Sequence, residues 1–160
     1  MEYDVNELLA RCDASGCYDI DKIKRAYYLA EELHRGQKRI SGEDYIIHPI
    51  AVATIVYECQ LDTDSICAAF LHDTVEDCAD RTNLTEVEEK FGAQVAMLVD
   101  GLTKLENINM QDKEEAQMEN IRKMLLAMSK DIRVIFIKLC DRLHNMRTLS
   151  AKPEHKRRTT

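Results

Sequence analysis

The chain has 160 residues, 45% of them hydrophobic and 32% charged, with a formal net charge of −7, so it is one domain long enough to bury its own core. The acidic balance excludes general nucleic-acid binding, because no surplus of Lys and Arg is available to neutralise a phosphate backbone. It leaves room for a small phosphorylated ligand on a local basic patch. No apolar run approaches the ~18 residues of a membrane span, and five Gly, two Pro and no Trp favour helices over turn-rich β structure.

The elements then follow in order. Residues 3–12 form a short amphipathic helix with Val5, Leu8 and Leu9 on one side, broken at Gly16. A second helix runs from about Asp19 to His34 on the spacing of Ile20, Ile23, Ala26, Tyr27 and Ala30, with Gly36 as its stop. A loop with two glycines and the adjacent cations Lys38 and Arg39 leads to His48-Pro49, and proline fits the first position of a third helix, with His48 at its N-cap. Asp62 or Asp64 caps the next helix, which ends in a His-Asp element. Thr85 and Glu88 form a capping box for a short helix ending near Phe91-Gly92, and Ala93 to Lys104 is another apolar helix. Residues 106–112 read as a mobile loop. A helix from about Lys113 to Ser129 points Met118, Ile121, Leu125 and Met128 inward. The last helix, Asp131 to Leu149, is apolar on nearly every side and so central to the bundle. The pattern is all-α, with about eight helices.

Six cysteines, at 12, 17, 59, 67, 78 and 140, form no C-x-x-C pair. Cys59, Cys67 and Cys140 lie in apolar helical patterns, and the acidic start Met1-Glu2-Tyr3-Asp4 has no secretory character. Both features predict reduced cysteines in a cytoplasmic protein, with a Cys12–Cys17 bridge disfavoured.

Residues 71–77, Leu-His-Asp-Thr-Val-Glu-Asp, set one imidazole and three carboxylates directly after the apolar run 66–71. On a continuous helix His72 and Glu76 share a face, with Asp73 and Asp77 one step round. A His-Asp dipeptide alone is common, and acidic helix ends are ordinarily solvated. His48 by itself reads equally as a capping or packing residue. Asp141 sits in an otherwise apolar helix and needs a partner, either a metal or an ion pair with Lys138 or Arg142. Together His48, His72, Asp73 and Asp141 bring two imidazoles and two carboxylates from three helices. That donor set suits Mn²⁺, Fe²⁺ or Zn²⁺ better than Mg²⁺, and leaves Glu76 and Asp77 to handle protons or a water.

With these residues in place the order H…HD…D resembles the HD-domain metal phosphohydrolases. The strings Gly36-Gln37-Lys38-Arg39, Ser41-Gly42-Glu43, Tyr45-Ile46-Ile47-His48-Pro49, 71–77, 91–105 and 138–149 resemble one branch, the hydrolase domain of the RelA/SpoT (Rel) family, over roughly residues 20–150. The resemblance implies an HD-domain helical bundle and a (p)ppGpp 3′-pyrophosphohydrolase that cleaves its substrate to GDP or GTP plus pyrophosphate. It implies Mn²⁺ on His48, His72, Asp73 and Asp141, and Glu76 and Asp77 as the catalytic acidic pair. It also implies Arg39 stacked on the guanine base, a nucleoside pocket of Ser41, Tyr45, Asn145 and Thr148, and supporting roles for Arg142 and His144.

Asp44 departs from the proline usual in that family, which predicts a looser loop before Tyr45; Ile40 removes a frequent lysine, and the loop at 78–83 is slightly longer. Residues 1–150 are expected to form the hydrolase unit. The basic tail 151–160 is expected to begin a downstream region, with synthetase and regulatory domains beyond it. The alternatives are a catalytically silent, ligand-binding regulatory domain of a (p)ppGpp synthetase, and a phosphohydrolase of another nucleotide.

Overall fold

The computed structural model describes residues 2–106, 118, 119, 121, 122, 125, 126 and 131–148. Its regular elements are α1 (Val5–Ser15), α2 (Ile20–Leu33), α3 (Ile47–Glu58), α4 (Thr63–Leu71), α5 (Thr74–Asp77), α6 (Leu84–Phe91), α7 (Ala93–Glu106) and α8 (Arg133–Arg147). Among the described residues the only β pairing is an isolated bridge between Lys38 and Asp44. The all-α expectation holds.

The bundle is built around α4. Asp62 caps it by accepting from the Ser65 N–H at 3.1 Å, and every residue from Ser65 to Leu71 is buried. A nine-residue helix with no exposed stripe must be surrounded, and α4 packs against α2, α3, α7 and α8. Ile66, Phe70 and Leu71 are fully buried there, each worth about 1.5–3 kcal/mol of transfer free energy. Gly101 lets α7 approach α8 closely, since a Cβ at that position would lie 2.9 Å from Val134 Cγ2.

Several boundaries differ from expectation, each for a local reason. α3 starts at Ile47, so His48 and Pro49 lie inside its first turn and His48 is not the N-cap; the turn tolerates proline because its N–H groups have no intrahelical partner. Asn83, not Thr85, caps α6, accepting from the Glu86 N–H at 2.9 Å. Ile132 is the N-cap position of α8, while Asp131 accepts from the Arg133 N–H at 2.9 Å. Asp44 pairs with Lys38 across a small hairpin, where the Arg39 N–H donates to Glu43 O at 2.8 Å. That loop is fastened, not loosened.

The larger correction concerns burial. α8 buries only Val134, Ile137, Cys140, Asp141 and His144, while Ile132, Phe136, Leu139, Leu143 and Met146 are 41–59% exposed. It is an edge helix, and α4 takes the central place. Met118, Ile121 and Leu125 are 72%, 54% and 60% exposed, against the expectation that they face inward; Met128, the 107–112 loop and the 151–160 tail lie outside the described residues. All six cysteines are free thiols, and Cys59 is exposed although Cys67 and Cys140 are buried.

Two measurements test this core. Phe70→Ala, removing the largest fully buried side chain of α4, is expected to cost about 3–5 kcal/mol in urea unfolding; a loss under about 1 kcal/mol would contradict a core centred on α4. Burial pushes the Asp62 carboxyl up, but Ser65 and Arg133 outweigh it and hold the group below its ordinary 3.8. A carboxylate depressed in the folded state stabilises above its unfolded pKa, and that stability is lost as pH falls through the folded value. Asp62→Asn should therefore show a smaller loss of stability than the wild type when pH is lowered through and below 3.8.

Candidate metal centre and cleft

The expected continuous helix through the His-Asp element is broken. α4 ends at Leu71, His72 is its C-cap, and Asp73 opens the single turn α5 as N-cap. His72 and Glu76 therefore belong to different segments. The break turns His72 and Asp73 toward the buried end of α8, while Glu76 and Asp77 stay at the exposed rim.

Each imidazole is oriented by its outer nitrogen. His72 Nδ1 lies 2.5 Å from Ala69 O, and a carbonyl only accepts, so Nδ1 carries a proton and Nε2 is the nitrogen available to a cation. That Nε2 is buried with no hydrogen-bond partner. It nevertheless stands 3.0 Å from Asp73 Oδ2 and 3.5 Å from Asp141 Oδ1. The distances are those of an ion pair without hydrogen-bond alignment. A lone pair facing two carboxylate oxygens fits a shared cation.

His48 follows the same logic. Its Nδ1 is 2.7 Å from His144 Nδ1, which also lies 3.4 Å from Arg39 Nη1. Guanidinium only donates, so His144 Nδ1 is the acceptor and His48 Nδ1 donates to it. His48 Nε2 then faces Asp141 Oδ1 at 2.7 Å and Asp73 Oδ2 at 4.0 Å. Donor atoms of His48, His72 and Asp73 all lie within 4.8 Å of one another, and Asp141 joins through its contacts with both imidazoles. Asp141 Oδ2 takes the Lys138 ammonium at 3.1 Å, so the ion pair and the imidazole contacts coexist on one carboxylate.

The protonation pattern has physical causes. Burial opposes charge on Asp73 and Asp141, but His72 and His48 outweigh it and hold both well below the usual carboxylate range. His72 is raised because the same two carboxylates overcome its burial, so a proton and a metal ion compete for its Nε2, whereas burial lowers His48. Burial, with the charges of His48 and Arg39, brings His144 down to about 4, so it is neutral at pH 7 and able to accept. At the rim Glu76 is raised by burial and then by Asp77 and Asp73; Asp77 is raised by burial and then by Asp73.

A cleft of about 290 Å³ opens onto this centre, lined by Arg39, Ser41, Tyr45, His48, Asp73, Asp141, Asn145 and Thr148, with Lys38 and Ile40. Arg39 Nη2 donates to Asn145 Oδ1 at 3.2 Å and Thr148 Oγ1 at 3.4 Å, which ties the hairpin to α8. The Tyr45 hydroxyl donates to Asp73 Oδ2 at 2.5 Å, so it orients an acidic side chain as well as lining the wall. Arg142 is exposed and does not line the cleft. His144 lies beneath the cleft as the orienter of His48. Lys38, legible as a cation beside Arg39, and Ile40, legible as the replacement of a frequent lysine, are wall residues as well.

The HD domain family matches residues 26–160. The chain is 53% identical over 140 residues to the Vibrio cholerae guanosine-3′,5′-bis(diphosphate) 3′-pyrophosphohydrolase, covering 87% of this chain and 20% of that protein. It is 51% identical over 140 residues to the bifunctional (p)ppGpp synthase/hydrolase SpoT of Escherichia coli K12, with the same coverage. It is also 51% identical over 142 residues to a GTP pyrophosphokinase of Myxococcus xanthus, covering 86% of this chain and 18% of that one. The chain thus spans about a fifth of the length of these curated relatives. A solved structure, described as a metazoan ortholog of SpoT that hydrolyzes ppGpp and plays a role in starvation responses, superposes with a TM-score of 0.71. It is 30% identical, over 89% of this chain and 80% of its own. With the orienting pairs at His48 and His72 and the break that turns His-Asp inward, these similarities show that the chain belongs to the HD domain family, in its SpoT/Rel branch.

Proposed function

We propose that this domain is a manganese-dependent (p)ppGpp 3′-pyrophosphohydrolase, releasing pyrophosphate and leaving GDP or GTP. The observation that carries the reading is the convergence of two imidazole lone pairs and two carboxylates beneath a cleft walled by Arg39, Tyr45, Asn145 and Thr148. The relatives' names supply the substrate. A divalent cation held by His48, His72, Asp73 and Asp141, Mn²⁺ in this reading with Fe²⁺ or Zn²⁺ as alternatives, supplies Lewis acidity toward water and a phosphoryl oxygen when bound.

The chain's own residues do the rest. Glu76 and Asp77 take the proton from the attacking water and return one to the ribose 3′ oxygen as its bond to the diphosphate breaks. Their raised pKa values bring them toward neutral pH, where such an exchange is efficient. Arg39 offers a planar cation to the guanine face, with Ser41, Tyr45, Asn145 and Thr148 around the nucleoside. His144 holds the tautomer of His48, and Arg142 supports from outside the cleft.

Residues 1–150 are assigned to this unit and 151–160 to the start of a downstream region bearing synthetase and regulatory domains; the greater length of the relatives supports the second assignment. The free thiols support a cytoplasmic location. A silent regulatory domain is the second reading, supported by the relative named for pyrophosphokinase activity and opposed by the intact Glu76–Asp77 pair.

Purified chain incubated with ppGpp and Mn²⁺ should yield GDP and pyrophosphate, with none formed by Asp73→Ala. Glu76→Gln is expected to lower kcat about 10²–10⁴-fold. Mn²⁺ and ppGpp binding without turnover would favour the regulatory reading. Because the working base must be deprotonated, kcat should fall with decreasing pH through an apparent pKa above the ordinary carboxylate value of about 4.3. His144→Ala should weaken Mn²⁺ binding about 10–100-fold by calorimetry, and an unchanged affinity would refute its orienting role.

A further inference from the structure

The cleft is poor in positive charge, while its proposed substrate carries two diphosphates. Among the described residues that line it, only Lys38 and Arg39 bear a fixed positive charge. Arg39 is already committed: Nη2 donates to Asn145 and Thr148, and Nη1 faces His144. Ile40 stands on the same wall, 59% exposed and without charge. Lys38 is therefore the one cation of the wall to which the site described above gives no task.

Its backbone is fixed and its tip is free. The Tyr45 N–H donates to Gln37 O at 3.0 Å and the Arg39 N–H to Glu43 O at 2.8 Å, and Lys38 faces Asp44 in the bridge between them. The same hairpin is fastened to the metal centre by the Tyr45 hydroxyl on Asp73. At the tip, the Lys38 ammonium meets the Asp44 carboxylate, and the two side chains are 59% and 65% exposed. An ion pair so exposed contributes little in water. An ammonium has three donors on a flexible four-carbon stem, so a phosphate at the mouth, with more charge and more acceptor oxygens, can take it over from Asp44 at small cost.

Position selects the phosphate. The hydrolase reading sets the 3′-diphosphate on the metal centre beneath the cleft and the base against Arg39. The 5′-diphosphate is left to the solvent-facing mouth, where Lys38 lies. We propose that Lys38 binds the 5′-diphosphate, the group that does not react, and that Asp44 is the counter-ion it gives up to do so. The pair makes the site favour guanosine phosphorylated at both ribose positions. This inference rests on the hydrolase reading above and adds to it a residue that determines specificity.

The test compares ppGpp with guanosine 3′-diphosphate, which lacks the 5′ phosphates, on the Mn²⁺-loaded 160-residue chain. A contact to a non-reacting part of the substrate, equal in ground and transition states, moves KM and leaves kcat. Lys38→Met should raise KM for ppGpp about 10-fold and leave KM for guanosine 3′-diphosphate unchanged, and Lys38→Arg should keep the wild-type preference. Asp44→Asn, which frees the ammonium, should lower KM for ppGpp about 2–5-fold without affecting the analogue. An unchanged KM for ppGpp in Lys38→Met would overturn the proposal. So would an equal rise in KM for both substrates, or a joint loss of kcat and Mn²⁺ affinity, since either marks a role in holding the hairpin. A wild type that binds Mn²⁺ and ppGpp without turnover removes the hydrolase reading alone. The same comparison made on Kd by calorimetry then decides Lys38 separately: weakening confined to ppGpp supports the contact, and equal effects on both ligands refute it.

Discussion

Two carboxylates and two imidazoles are buried together at the end of an apolar bundle, and the rest of the molecule is arranged to make that tolerable. An isolated buried carboxylate is expensive, and removing one partner of a buried pair leaves an uncompensated charge. Here Asp73 is shared among His72, His48 and the Tyr45 hydroxyl. Asp141 is shared among both imidazoles, Lys138 and Asn145. The contacts are dense enough to hold both groups ionised, which is the state a cation requires of its ligands.

The scaffold provides this through one rigid element and one break. α4 is fixed by apolar contact on all sides, so the position of its last residue is well defined. The chain stops being helical at His72, which directs His72 and Asp73 inward and delivers Glu76 and Asp77 to the rim on a separate turn. α3 and α8 pack beside α4 and against each other, and contribute His48 and Asp141. Ligands set on helices are held more closely than ligands on loops. The loop residues here, Lys38 to Ser41 and Tyr45, line the cleft and are tied down by a hairpin and by Arg39 bonds to α8.

Orientation is a second level of the design. Ala69 O and His144 Nδ1 each fix one tautomer, leaving an inward lone pair on His72 and His48. Histidine is a useful ligand only when its other nitrogen is committed elsewhere. His144 therefore serves the centre from beneath, a role different from lining a nucleoside pocket.

Much was legible in the sequence because it depends on residue identity and short-range spacing. The all-α class, an aspartate cap at 62 or 64, the helical apolar periodicities, and the donor types at His48, His72, Asp73 and Asp141 are properties of the string itself. The resemblance located the cleft residues by the same short strings. Periodicity did not reveal which helix was central, because an apolar helix looks alike whether its second face meets the core or solvent; α8 and the exposed Met118, Ile121 and Leu125 show the difference. Nor could spacing show that the helix breaks at His72, that His144 turns toward His48, or that Lys138 and two imidazoles share Asp141. Those depend on which atoms come within about 3 Å across long stretches of chain, such as the 93 residues from His48 to Asp141. The sequence by itself determined the chemistry of the donors. Tertiary structure alone decided their direction, because hydrogen bonds and lone pairs are directional and only packing sets the angles.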